Sequence, residues 1–93
     1  MAVRKVELFG LARVLAATSV LEIDVPEPAT VRAVMSALGA HRSQLVGPIL
    51  RADLSGPAAG YTLNVNGLAF VDDLETVLNP GDVLLLLPAS AGG

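Results

Sequence analysis

The sequence predicts an α+β domain in which one main helix packs on one face of a mixed sheet. Three observations predict it. Val3 to Phe9 and Val20 to Val25 alternate apolar and polar residues, the period of half-buried strands. Val31, Val34, Met35 and Leu38 recur at i, i+3, i+4 and i+7, the stripe of an amphipathic helix. Val83 to Leu87 is an unbroken apolar run bounded by Gly81 and Pro88, which reads as a strand. At 93 residues the chain has the length of one small domain, taken over 1–93 with a flexible tail from 88 to 93.

In the first strand Val6 and Leu8 point to one side, and Lys5 and Glu7 to the other. Gly10 to Ser19 is expected to be a loop or short turn. The second strand turns Leu21, Ile23 and Val25 inward and Glu22 and Asp24 outward, which makes a first hairpin. Pro26 and Pro28 end it, since proline donates nothing to a ladder. Thr30 fits an N-cap, its hydroxyl accepting an orphan N–H of the first helical turn. Gly39 fits the left-handed position after the helix. A short helical turn is expected within His41 to Leu50 and a surface loop from Asp53 to Gly60. Tyr61 to Val65 and Leu68 to Val71 form a hairpin around Asn66 and Gly67, a type I′ signal. Asp72 to Leu78 is expected to hold one tight helical turn, and Asn79 to Gly81 a turn.

The run Val83 to Leu87 lacks the alternation of a strand with one wet face. Either both faces are covered, or one is exposed and kept apolar for a partner. With one main helix, the partner surface is the reading adopted. The helix crossover lets this strand lie parallel to the first, a β-grasp, ubiquitin-like topology.

Composition narrows the function. Hydrophobic residues make up 53% and charged residues 16%, so the chain folds. Only three aromatics are present, which leaves the core to Val, Leu, Ile and Ala. A net charge of −3 with six scattered basic residues argues against nucleic-acid binding. There is no cysteine and one histidine, so thiolate chemistry and a histidine-rich metal site are excluded. Met1 to Leu21 has the early positive charges of a signal peptide. Glu7, Arg13 and the lack of a small-residue cleavage site after Leu21 oppose that reading. No apolar run is long enough to span a membrane, and a cytoplasmic protein is expected. His41, near the helix end, reads as a structural residue beside the dipole. Asp72, Asp73 and Glu75 read as a solvated acidic turn, with no metal site assigned. Ser90 has no neighbouring base to make it a nucleophile.

After Leu87 the chain reads Pro88-Ala-Ser-Ala-Gly92-Gly93. Small residues make a narrow strand that passes through a tight channel without a Cβ clash. With this tail, Val6-Glu-Leu-Phe-Gly-Leu-Ala-Arg13, Pro28-Ala-Thr-Val31, Val65-Asn-Gly67 and Leu78-Asn-Pro-Gly-Asp82 stand in a characteristic order. In that order the chain resembles the ubiquitin-like sulfur carriers of the MoaD/ThiS type, with the pattern nearest to the small subunit of molybdopterin synthase. The resemblance implies that Gly93 is adenylated and converted to a thiocarboxylate that donates sulfur, with Gly92 as the thin neck. It implies that Val83, Leu85 and Leu87 form a docking face with Phe9 at its edge, continued by Pro88, Ala89, Ser90 and Ala91. Leu84 and Leu86 then face the core with Val6 and Leu8.

No cofactor is bound in this reading, and ATP is used by the activating partner. The implied partners are an E1-like adenylating enzyme of the MoeB type and a molybdopterin synthase large subunit of the MoaE type, with weak self-association when they are absent. The carrier has no catalytic side chains of its own. Related carriers serve thiamin, cysteine or transfer-RNA thiolation, and a ubiquitin-like modifier shares the same activation. A third reading, from another class, is a β-grasp interaction module with an incidental tail.

Overall fold

The computed structural model describes residues 2–89. Ser90, Ala91, Gly92 and Gly93, named above as site residues, lie outside the described residues, as does most of the expected flexible tail. Five strands and two helices follow one another as β1 (Ala2–Leu8), α1 (Leu11–Ala16), β2 (Val20–Val25), α2 (Val31–His41), β3 (Tyr61–Val65), β4 (Ala69–Val71) and β5 (Val83–Pro88). The sheet order is β2-β1-β5-β3-β4. β1 and β5 are parallel at its centre and every other pair is antiparallel. This is the β-grasp arrangement.

Strand parity assigns the faces. Val6 and Leu8 of β1, Leu21, Ile23 and Val25 of β2, and Leu84 and Leu86 of β5 are buried in one core cluster with residues of α2. Val31, Val34, Met35 and Leu38 answer from the helix with no exposed area. No aromatic side chain belongs to the buried cluster of described residues. Arg4 falls on an inward position of β1 and is 7% exposed. Its guanidinium is satisfied by carbonyls, Nε donating to Leu78 O at 3.0 Å and Nη1 to Val3 O at 2.9 Å.

The start of α2 has a partner for each of its orphan donors. Thr30 Oγ1 accepts from Ala33 N at 3.1 Å, as the sequence predicts. Val31 N and Arg32 N donate to Thr76 O and Leu74 O, each at 2.9 Å. That second cap explains why Asp72 to Leu78 contains no helical turn. The segment runs beside the helix start, with its carbonyls committed to α2 and one turn closed by Thr76 N to Asp73 O.

Two further expectations are corrected. Gly10 to Ser19 is not all loop but holds α1, which buries Ala12 and Ala16 one turn apart. Gly39 is not the residue after α2; it lies inside the helix, which runs on to His41. A Cβ at Gly39 would stand 2.6 Å from Leu54 Cδ2, so the glycine makes room for Leu54 of the 51–60 loop. The turn expected after His41 is a 3-10 turn over Ser43–Leu45. At the β3–β4 turn Asn66 and Gly67 both take positive φ, 60° and 73°, the mark of a type I′ turn. No helix among the described residues is long and apolar enough to cross a membrane.

Candidate functional site

The site grows from the parity of β5. Leu84 and Leu86 are spent on the core, so Val83, Leu85 and Leu87 face the side of the sheet that no helix covers, and they are half-buried there. Register extends the surface in rows, because residues directly opposite on paired strands share a face. Leu85 lies between Glu7 of β1 and Asn64 of β3, and Asn64 lies opposite Phe70 of β4. Val83 lies beside Lys5, and Leu87 beside Thr62. Phe9 continues β1 past Leu8, its N–H donating to Leu86 O at 3.1 Å. Phe9 and Phe70 are 38% and 72% exposed. The result is an apolar stripe along β5 with an aromatic residue on each flank and one charge of each sign at its β1 border.

Phe70 and Asn64 were missed by the sequence reading. The signal for Phe70 was available, because the Asn-Gly turn fixes the hairpin and so the parity of β4. Asn64 was not legible: it is 7% exposed on the open side of the sheet and its Oδ1 has no hydrogen-bond partner. A buried acceptor left without a donor costs about 1–3 kcal/mol, which sets Asn64 apart from the satisfied polar groups around it.

At one end of the stripe the chain leaves the sheet. Pro88 pairs with Tyr61, and Ala89 N donates to Gly60 O at 2.8 Å. Tyr61 Oη donates to Phe9 O at 3.0 Å and accepts from Ala12 N at 3.1 Å. At the other end of β5 a clamp holds the strand to the β3–β4 turn. Asn66 Nδ2 donates to Asp82 Oδ1 at 2.9 Å, Asn79 N to Asp82 Oδ2 at 2.8 Å, and Val83 N to Asn66 Oδ1 at 2.8 Å. The Asn66 amide and then the Asn79 N–H hold the Asp82 carboxyl below its ordinary pKa. The acidic turn is internally engaged: Asp73 Oδ1 accepts from Glu75 N, and Glu75 pairs with Arg32 at 2.7 Å. Among the described residues no group of three or more His, Asp or Glu is placed to hold a metal ion.

Against known families, the model of the ThiS family matches residues 6–93. The chain belongs to the ThiS family. Its members are ubiquitin-like sulfur carriers and modifiers, and the β-grasp sheet described above is their fold. The small archaeal modifier protein 1 from Methanosarcina acetivorans is 26% identical, with a TM-score of 0.78 over 100% of this chain and 98% of that one. A putative molybdopterin converting factor, subunit 1, from Pyrococcus furiosus is 26% identical, with a TM-score of 0.75 over 97% and 100%. A chain of the BexX/CysO complex from Amycolatopsis orientalis shares the fold at 21% identity, with a TM-score of 0.68 over 96% and 98%. No curated protein matches the sequence.

Proposed function

We propose that this ThiS-family chain is a sulfur carrier that acts as the small, sulfur-donating subunit of molybdopterin synthase. The observation that carries the proposal is that the family match runs through Gly92 and Gly93 and that β5, the last strand before them in the chain, carries an uncovered apolar face. A carboxylate is a poor electrophile. In the first step a Gly93 carboxylate oxygen attacks the α-phosphorus of ATP held by the adenylating partner, and pyrophosphate leaves. In the second a sulfur nucleophile attacks the Gly93 carbonyl carbon, and AMP leaves with the C–O bond electrons. With sulfide as that nucleophile, loss of its proton leaves a thiocarboxylate, which attacks an activated carbon of the acceptor and displaces its leaving group; water then cleaves the resulting thioester, returning the Gly93 carboxylate and leaving the sulfur on the acceptor. The carrier's residues supply docking and reach: Phe9, Val83, Leu85 and Leu87 seat the partner, and Pro88 to Gly92 thread Gly93 into its channel. The likeness to a converting-factor subunit at 26% identity supports molybdopterin as the pathway.

The test is the intact mass of the chain after incubation with its cognate adenylating enzyme, ATP and a sulfide source. Sulfur-for-oxygen gain at Gly93, discharged on adding the synthase large subunit and a pterin precursor, is the expected result. Gain without discharge assigns the carrier to another pathway, such as thiamin, cysteine or transfer-RNA thiolation. No gain with a competent enzyme leaves a β-grasp docking module. The likeness to a modifier protein at 26% identity favours one second reading, in which Gly93 ends in an isopeptide bond. That reading predicts a branched peptide in a digest.

A further inference from the structure

Four residues, Ser90 to Gly93, follow Ala89. Fully extended they span at most about 14 Å, so a partner's reaction centre must lie within that distance of the tail root. A short tether does not absorb an error in its starting direction. The structure fixes that direction at one knot. Gly10 takes a φ of +63°, and a Cβ there would stand 2.8 Å from Pro88 Cγ and 3.0 Å from Tyr61 Oη. The backbone at Gly10 therefore closes directly on the Pro88 ring and the phenol. The phenol in turn ties together Phe9 O and Ala12 N, 52 and 49 residues away. It also serves as the missing cap of α1, whose own N-cap residue, Gly10, has no side chain to offer.

We infer that Tyr61, seated against Gly10, is a positioning residue that sets the exit of the Gly93-bearing tail relative to the docking face. The inference rests on the carrier reading above and adds to it a residue outside the tail and outside the face. Tyr61 packs against the core side of the sheet and meets the docking face only through the Phe9 carbonyl and its pairing with Pro88. It joins the strand that holds the tail root, through the Tyr61–Pro88 pair, to the Phe9 turn at the edge of that surface.

Tyr61→Phe removes both hydrogen bonds and keeps the ring. Pyrophosphate release with the cognate adenylating enzyme should show kcat reduced roughly ten- to a hundred-fold, the size of effect that small misplacements produce. KM should stay within about twofold, since the docking contacts are intact. Two glycines inserted between Ala91 and Gly92 relax the geometric demand, and in that background Tyr61→Phe should lose nothing further. Amide exchange of the carrier alone gives an independent readout: Ala89 and Ala12 should exchange faster in Tyr61→Phe, with Val6 and Leu84 unchanged. An unaltered kcat overturns the inference. So does an equal loss in the short and long tails, which marks a plain stability effect, and so does unaltered exchange at Ala89. If the unmodified chain is not adenylated by a competent enzyme, the carrier reading itself has failed, and the positioning role given to Tyr61 falls with it.

Discussion

Placing a carboxylate on the open face tests both the register of β5 and the docking surface. Leu85→Glu and Leu84→Glu are neighbours in sequence with opposite consequences. Leu84 has no exposed area, so a glutamate there is an unpaired buried charge costing several kcal/mol. A small domain with a stability of about 5–10 kcal/mol is then largely unfolded at moderate temperature. Leu85 is half-buried and stands directly across from Glu7. A like-charged pair at such a position costs about 0.2–1 kcal/mol. The half-burial lost with the leucine adds about 1 kcal/mol, so the melting temperature should fall by roughly 5–15 °C for a domain of this length. Docking responds more strongly. Leu85 is already partly shielded, so its remaining burial on docking is of order 1 kcal/mol, and Leu85→Ala should weaken binding about fivefold. The glutamate adds the desolvation of two facing carboxylates, which takes the loss beyond about 3 kcal/mol, or more than a hundredfold in Kd. Calorimetry against the adenylating enzyme, with thermal melts of each variant, reads both quantities. Leu85→Glu unfolding like Leu84→Glu would refute the register. Full-affinity binding by a folded Leu85→Glu would refute the docking face.

Three other changes have defined outcomes. Thr30→Ala removes the acceptor for Ala33 N and should cost about 1 kcal/mol, measured by urea unfolding with an unchanged m value. Gly39→Val drives a branched side chain into Leu54 and should cost roughly 1–3 kcal/mol, with amide shifts concentrated in the 51–60 loop. Asp82 has a lowered native pKa, so its stabilising effect is present above its ordinary value and lost as pH falls through the lower native one. Asp82→Asn should be less stable than the parent at pH 7, and the two melting curves should converge on acidification below pH 3.8.

The frame of the fold was legible because its signals are local. Alternation in β1 and β2, the stripe of α2, the hydroxyl of Thr30 and the Asn66-Gly67 turn each act within a few residues. Where the sequence misled, the cause was a contact from far along the chain. α1 is six residues long and is capped by Tyr61, 49 residues from Ala12. A local signal for α1 did exist in Ala12, Leu15 and Ala16 at i, i+3 and i+4. Gly39 looked like a helix end because glycine commonly ends helices, but here it accommodates Leu54 from another loop. Asp72 to Leu78 carries charges suited to a helical turn, yet α2 claims its carbonyls. The candidate face was half legible in the same way. The parity of Val83, Leu85 and Leu87 is written in β5, whereas Asn64 and Tyr61 gain their meaning only from strands brought alongside.

The central place of β5 also has a mechanical consequence. Its Val83–Leu86 stretch is laced to β1 on one side, and Leu84 to Pro88 to β3 on the other. A pull on the residues beyond Pro88 acts along the strand axis, while the ladder hydrogen bonds lie across it. Both ladders then resist in shear, sharing the load over many bonds. An edge strand pulled away from its neighbour would instead open one bond at a time. The domain therefore resists a pull applied at this end of β5 without unzipping.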